Sequence, residues 1–537
     1  MIRDHQACTH SDTDPDGPFS RDKVTTVQAG VLRDRVGWRV WAGFSAMCIG
    51  MFMAILDIQI VATSLPAIRD ALAISPDRMS WIQTSYLIAE VIAIPLTGLL
   101  SRALSGRRLF LGALSLFTLA SIGCAFSPDF TTLIFFRIVQ GLAGGCLIPL
   151  VFSAVFLMFP VRQQGIATTI AGVLAVLAPT LGPTVGGYIT QTYSWPWLFL
   201  VNVLPGIASV AIAAVLLPKA SGDLRLLRRM DWLGLAALAL GLALLEISLK
   251  EAPERGWTSL LILGLLATVI VSLAGFVVRS LRRDLPIADL GLFRDRNFAI
   301  ACALSFIFGM GLFGSVYLMP VFLGLVRGHG PLDIGLVMLV TGVAQLLAAP
   351  VAVQLEQRVD ARILTAGGFL CFATGLGWSF FQTAATDFDG MFWPQVVRGC
   401  AIMFCLLPPT RIALGLLAET KVPDGSALFN LMRNLGGAIG VALIDTVIWQ
   451  RVEMHSKDIG AKLVDLDPDA AAFADISIDE IPSVAFVPPE SIVEMIRPQV
   501  EKAGLTLAIN DAWAMVAVLT AVGVLLIPFV RRTDQSS

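Results

Sequence analysis

A carboxylate in the middle of an apolar run is the first chemical signal in this sequence. Asp57 lies in Met51-Phe-Met-Ala-Ile-Leu-Asp-Ile-Gln-Ile-Val-Ala62, and Glu90 lies in Tyr86-Leu-Ile-Ala-Glu-Val-Ile92. A charge at the centre of a bilayer costs about 3 kcal/mol on insertion scales, so such residues face a cavity or a partner and serve ion or proton pathways. Arg137 sits in Leu133-Ile-Phe-Phe-Arg-Ile-Val-Gln-Gly141. A guanidinium cannot shed its proton, so it must be paired or hydrated. The chemistry these three permit is reversible protonation of Asp57, together with Glu90. Arg137 would hold one carboxylate ionised until a proton or a substrate displaces it. The competing reading is structural: each acid is satisfied by a neighbouring helix, and the arginine forms a permanent pair.

Other residues are weaker candidates. Gly182, Pro183, Gly186 and Gly187 form a backbone motif, in which glycine permits close helix approach and proline removes a donor and bends the helix. Arg433 and Asn434 open a glycine-rich face, and Asp445 falls toward the outer third of the same span. Glu246, beside Lys250 and Glu251, reads as an interfacial charge at the outer end of its span. Metal chemistry is not indicated: the eight cysteines are scattered without a CxxC, and the four histidines lie outside the apolar spans. A net charge of -2 with no basic domain excludes a nucleic-acid footprint. A membrane-embedded enzyme would need clustered acids or histidines at the interface, and none is found.

The elements that position these residues follow from composition. The 537-residue chain is 56% hydrophobic and 15% charged, against about 25% charged for a soluble chain. A bilayer helix needs about 20 apolar residues, and reading for such runs gives about fourteen. The first six are approximately 41–65, 81–100, 108–126, 133–159, 167–190 and 197–217. Two follow at 232–249 and 259–278, and six more at 298–326, 334–355, 363–381, 391–417, 427–449 and 512–530. With the N-terminus inside, the inner segments hold Arg33, Arg35, Arg39, Arg102, Arg107, Arg108, Lys219 and the arginines from Arg225 to Arg229. They also hold those from Arg279 to Arg296, and Arg531 and Arg532. The short outer ones hold only Arg69, Arg78, Lys250, Arg255 and Arg327. That bias places both termini in the cytoplasm. Residues 1–40 read as a disordered cytoplasmic tail rather than a signal peptide. The expected organisation is a six-helix bundle over 41–218, an inserted pair over 219–283, and a second bundle over 284–537. The last contains an outer, periplasmic loop at 451–511, where Pro482, Pro488 and Pro489 argue against one continuous helix.

A faint repeat links the halves. Arg137, Gly141 and Pro149 in the fourth span are echoed by Arg398, Gly399 and Pro408 in the twelfth. Gly182 and Gly186 in the fifth are echoed by Gly436 and Gly440 in the thirteenth. Repeated halves suit a transporter with its site between them at the midplane. Together these motifs resemble the major facilitator superfamily, and within it the drug:proton antiporter-2 group, the fourteen-helix EmrB/QacA type. Leu56-Asp57 with Ile60-Val61 and Leu65-Pro66 is similar to that group's first motif, and Arg137 with Gln140 and Gly141 to its fourth-helix motif. Gly182-Pro183 with Gly186-Gly187 resembles the antiporter motif, Trp195, Trp197-Leu-Phe199 and Asn202 the start of the sixth helix, and Arg433 with Gly436, Gly437 and Gly440 a second-half motif. One departure is Arg102, which stands where the family's loop between helices two and three usually carries Asp, and this puts a charge-relay gate through that Asp in doubt.

The resemblance implies an all-α membrane protein of the major facilitator fold in the inner membrane. It would export hydrophobic or amphipathic small molecules in exchange for protons, with membrane lipid around it and no cofactor beyond the proton gradient. The alternative is a dedicated exporter of a metabolite or siderophore. Related pumps of two-membrane bacteria dock a periplasmic adaptor, for which the 451–511 loop is the candidate surface.

Overall fold

In the computed structural model, residues 36–283, 285–465, 467–474, 476 and 497–531 are described. The expected tail lies outside them up to residue 35, as do Pro482, Pro488 and Pro489. Among the described residues, fourteen helices are long and apolar enough to cross a membrane. They are α1 (Trp38–Ala71), α2 (Trp81–Leu104), α3 (Gly106–Ala125), α4 (Phe130–Met158), α5 (Val161–Thr192), α6 (Trp197–Leu216) and α7 (Trp232–Arg255). The rest are α8 (Leu260–Arg282), α9 (Arg296–Val321), α10 (Pro331–Glu356), α11 (Ala361–Trp378), α12 (Phe388–Leu414), α13 (Val422–Val464) and α14 (Arg497–Val522).

Local chemistry starts several of them. Asp129 caps α4 by accepting from the Thr132 N–H at 2.9 Å, and Asp295 caps α9 by accepting from the Phe298 N–H at 2.8 Å. Such caps satisfy donors that have no partner inside the helix. α6 is broken between Leu200 and Val203. Pro205 has no N–H to give to the preceding turn, and the break turns Asn202 inward.

The first half, α1 to α6, packs around Phe44, Phe110, Phe117 and Phe152. The second, α9 to α14, packs around Phe308, Phe369, Phe372 and Trp513. Two seams join them: α5 runs against α10, and α2 against α13. Both depend on missing side chains. A Cβ on Gly335 of α10 would strike Thr184 of α5, and one on Gly98 of α2 would lie 3.0 Å from the Asp424 Cα of α13. At the face where α1 begins, Arg102 pairs with Asp424, and the Ser426 hydroxyl donates to the Pro149 carbonyl at 2.7 Å. That face of the seam is closed.

The 451–511 segment differs from the expected loop. α13 continues unbroken to Val464, and α14 begins at Arg497. Glu453–Lys457 at 2.6 Å and Asp458–Lys462 at 2.7 Å brace the extension one turn apart. Ile459 and Leu463 bury against Val500 and Ala503. The two extended helices, with Ala470, Ala471 and Ala474 of the short helix Pro468–Ala474, therefore make a small apolar core beyond the apolar span.

Candidate functional site

The break in α6 and the packing of α1 against α4 bring four predicted residues together. Asp57 Oδ2 accepts from Arg137 Nη1 at 2.5 Å. The other oxygen, Oδ1, accepts from Gln140 Nε2 at 3.0 Å and from Asn202 Nδ2 at 2.8 Å. Gln140 also accepts from Arg137 Nη1 at 2.7 Å and donates to the Ser121 hydroxyl at 2.9 Å. Arg137 Nε donates to the Ile82 carbonyl at 3.0 Å, and its guanidinium lies 4.3 Å from the Tyr86 ring centroid. Asp57 and Arg137 are both fully buried. Residues 80 positions apart thus form a fully buried ion pair with both carboxylate oxygens satisfied. Asp57 was expected to face a cavity; instead it is fully buried and absent from the wall of the central cavity, held by Arg137, Gln140 and Asn202.

Glu90 is different. It is 3% exposed, yet it lines a central cavity of about 720 Å³ between the two halves. It makes no hydrogen bond or ion pair among the described residues. The wall is mainly apolar, with Ile55, Leu87, Phe308, Leu312, Phe313 and Met338. Toward the face opposite the start of α1 it includes Ser80, Lys250 and Pro331. An apolar cavity with few polar groups is what a small-molecule site needs.

The other predicted residues divide. Gly182 lets α5 approach Gln59 of α1, Gly187 lets it approach Pro331 of α10, and Pro183 lines the cavity. Gly186 offers its carbonyl to the Thr190 hydroxyl at 2.8 Å. Arg433 lines the cavity, donates to Asn430 Oδ1 at 2.5 Å and lies 5.3 Å from the Phe152 ring of the first half. Asp445 also lines it and accepts from the Tyr317 hydroxyl at 2.6 Å. Arg398, the counterpart of Arg137 in the repeat, is buried away from the cavity and lies 4.8 Å from the Trp513 ring, with no acid paired to it among the described residues. The repeat therefore preserves the arginine and not the pair.

Sequence reasoning missed Asp424 and set Glu246 aside as an interfacial charge. Asp424 falls in the first turn of α13, outside the apolar run. Glu246 was placed at an interface because the span was ended at 249. The helix in fact runs on to Arg255, which puts Glu246 well inside it and on the cavity wall. Lys250, the charge that suggested an end, lies 4.7 Å over the Trp81 ring.

Two packed six-helix halves and an inserted pair about a central cavity have the architecture of a multi-pass secondary transporter. The Major Facilitator Superfamily profile matches residues 47–441, and the chain belongs to that superfamily, in its EmrB-type branch. It is similar to the colistin resistance protein EmrB of Acinetobacter baumannii, 35% identical over 92% of this chain and 96% of that one. It is also similar to the multidrug export protein EmrB of Escherichia coli K12, 32% identical over 80% of this chain and 84% of that one. Among solved structures, the human organic anion transporter MFSD10 shares the fold with a TM-score of 0.59. It is 14% identical and covers 91% of this chain and 99% of its own.

Proposed function

We propose that this protein exports hydrophobic or amphipathic small molecules across the inner membrane, with both termini cytoplasmic, in exchange for protons. The observation that carries this reading is the fully buried Asp57–Arg137 pair beside a mainly apolar cavity between two halves, whose wall carries Glu90. The names of the EmrB relatives, which speak of multidrug export and colistin resistance, support export of foreign compounds. With the N-terminal face cytoplasmic, the Arg102–Asp424 seam closes the cytoplasmic side, and the cavity belongs to an outward-facing state.

The proton step follows from the pair. Protonating Asp57 removes the charge that balances Arg137. Breaking a buried pair is worth about 3–5 kcal/mol. Moving a two-state equilibrium from 1:99 to 99:1 takes about 5.5 kcal/mol. One proton at Asp57 is thus of the right size to reverse the preferred state, and Glu90 on the cavity wall is the relay that receives it. Alternating access then requires that substrate favour the other state. For a periplasmic adaptor, the extended ends of α13 and α14 are the surface this reading offers.

The test is transport by purified protein in proteoliposomes with an imposed pH gradient, using a panel of dyes and antibiotics. Movement of several unrelated amphipaths only when the gradient is present supports the reading. Movement of one compound alone supports the dedicated-exporter alternative. Transport indifferent to the gradient refutes proton exchange.

A further inference from the structure

The inserted helix pair has no counterpart in either half, yet its two members are placed very differently. α8 packs mainly on α7, and only 17% of its apolar window is buried. α7 instead lies at the seam, against α2 of the first half and α13 of the second. It is tied at both sides. Lys250 lies over Trp81 of α2, and Trp257, just past the end of α7, donates its indole N–H to the Thr446 hydroxyl of α13 at 2.9 Å. This position delivers Glu246, Leu249 and Lys250 to the wall of the central cavity.

We propose that Glu246 and Glu90 form a second carboxylate site in that cavity, one that holds a single positive charge. A proton and the cationic head of an amphipathic ligand compete for it. The proposal rests on the cavity being the substrate site. Glu90 is nine-tenths buried, aimed into the cavity and without a hydrogen-bond or ion-pair partner among the described residues. Glu246 lines the same cavity, within Coulombic range of Glu90. Two carboxylates in an apolar site cannot both stay ionised without a cation between them.

The surrounding charges do not supply that cation. Arg137 of α4 and Asp57 of α1 act on Glu90 through space but are committed to each other at 2.5 Å. On α7 itself, Lys250 is turned onto Trp81, with Glu251 at 3.8 Å and Glu254 nearby. From α13, Arg433 is turned onto Asn430 and Phe152, and Asp445 is held by Tyr317 of α9. In the exchange, the proton held by one of the two carboxylates leaves for water as the organic cation enters. Charge in the site is conserved, and α7 becomes part of the binding site rather than a spacer.

The experiment is equilibrium binding of tetraphenylphosphonium to the full-length protein in nanodiscs, with no pH gradient, between pH 5 and 9. Because no transport is measured, failure of the proton drive assigned to Asp57 does not affect it. The wild type is expected to bind more weakly as pH falls, by tenfold or more, and to release close to one proton per cation bound in weak buffer. Glu246→Gln should lower affinity about tenfold at high pH and abolish the proton release, while Glu246→Asp should keep both. Glu90→Gln should behave as Glu246→Gln does. No proton release by the wild type overturns the proposal. So does a Glu246→Gln protein with wild-type affinity and pH dependence, or equal binding of the anion tetraphenylborate.

Discussion

Removing the Arg102 guanidinium should open the N-terminal face of the seam. Asp424 is 2% exposed and lies in the first turn of α13, where the helix dipole favours an anion. Its ion-pair partner is Arg102, in the last turn of α2, which is 27% exposed. Breaking a fully buried pair costs about 3–5 kcal/mol, because the remaining charge is stranded. Solvent screening on the arginine side reduces this to about 2 kcal/mol. At about 1.4 kcal/mol per tenfold, the closed-to-open ratio should then fall about thirtyfold. Hydrogen–deuterium exchange across the ends of α2 and α13 is the assay. Arg102→Ala should speed exchange at both ends while leaving the core of α4 protected. Asp424→Asn should have a smaller effect, since Arg102 can be hydrated. The exchanged pair Arg102→Asp with Asp424→Arg should recover part of the protection, limited by the dipole. Wild-type exchange in Arg102→Ala, or no recovery in the double variant, would refute the reasoning.

Further outcomes follow from the packing. Gly141→Ala should destabilise the first half by about 1–3 kcal/mol, because the added Cβ meets the Tyr86 carbonyl, which cannot move aside; thermal unfolding in detergent reads this. Arg137→Lys keeps the charge but loses the Ile82 and Gln140 bonds made by a planar fork; it should impair transport well beyond any loss of folded protein. Asn202→Ala removes one donor from Asp57, at about 1.5–3 kcal/mol for a bond to a charged group; it should shift the pH at which transport is half-maximal. Trp257→Phe frees the α7 end from Thr446 and should leave folding intact while raising exchange in α7.

The charges of the site were readable in the sequence because a charged residue in an apolar run is a one-dimensional signal. Asp57, Glu90 and Arg137 stand out without any knowledge of contacts. Which acid the arginine chooses is a three-dimensional fact. Arg137 takes Asp57, 80 positions away, and leaves Glu90 to the cavity. The departure at Arg102 shows the same limit. The arginine where the family usually carries Asp is visible, but its partner Asp424 lies 322 positions on, in a turn that reads as loop. Glu246 was misjudged because a lysine marks a membrane boundary in composition, whereas here Lys250 stacks on an aromatic ring and the helix continues. The 451–511 segment misled for a related reason. Its polar ends are helical through intrahelical ion pairs and a narrow apolar stripe, which average hydropathy does not register.

The central claim is that a proton on Asp57 drives export. It is tested most directly by comparing wild type with Asp57→Asn in proteoliposomes under an imposed pH gradient, with equal amounts of protein verified in the membrane. The wild type should move an amphipathic dye against its gradient, and Asp57→Asn should show only passive leak. Gradient-driven movement by Asp57→Asn at the wild-type rate would contradict the account.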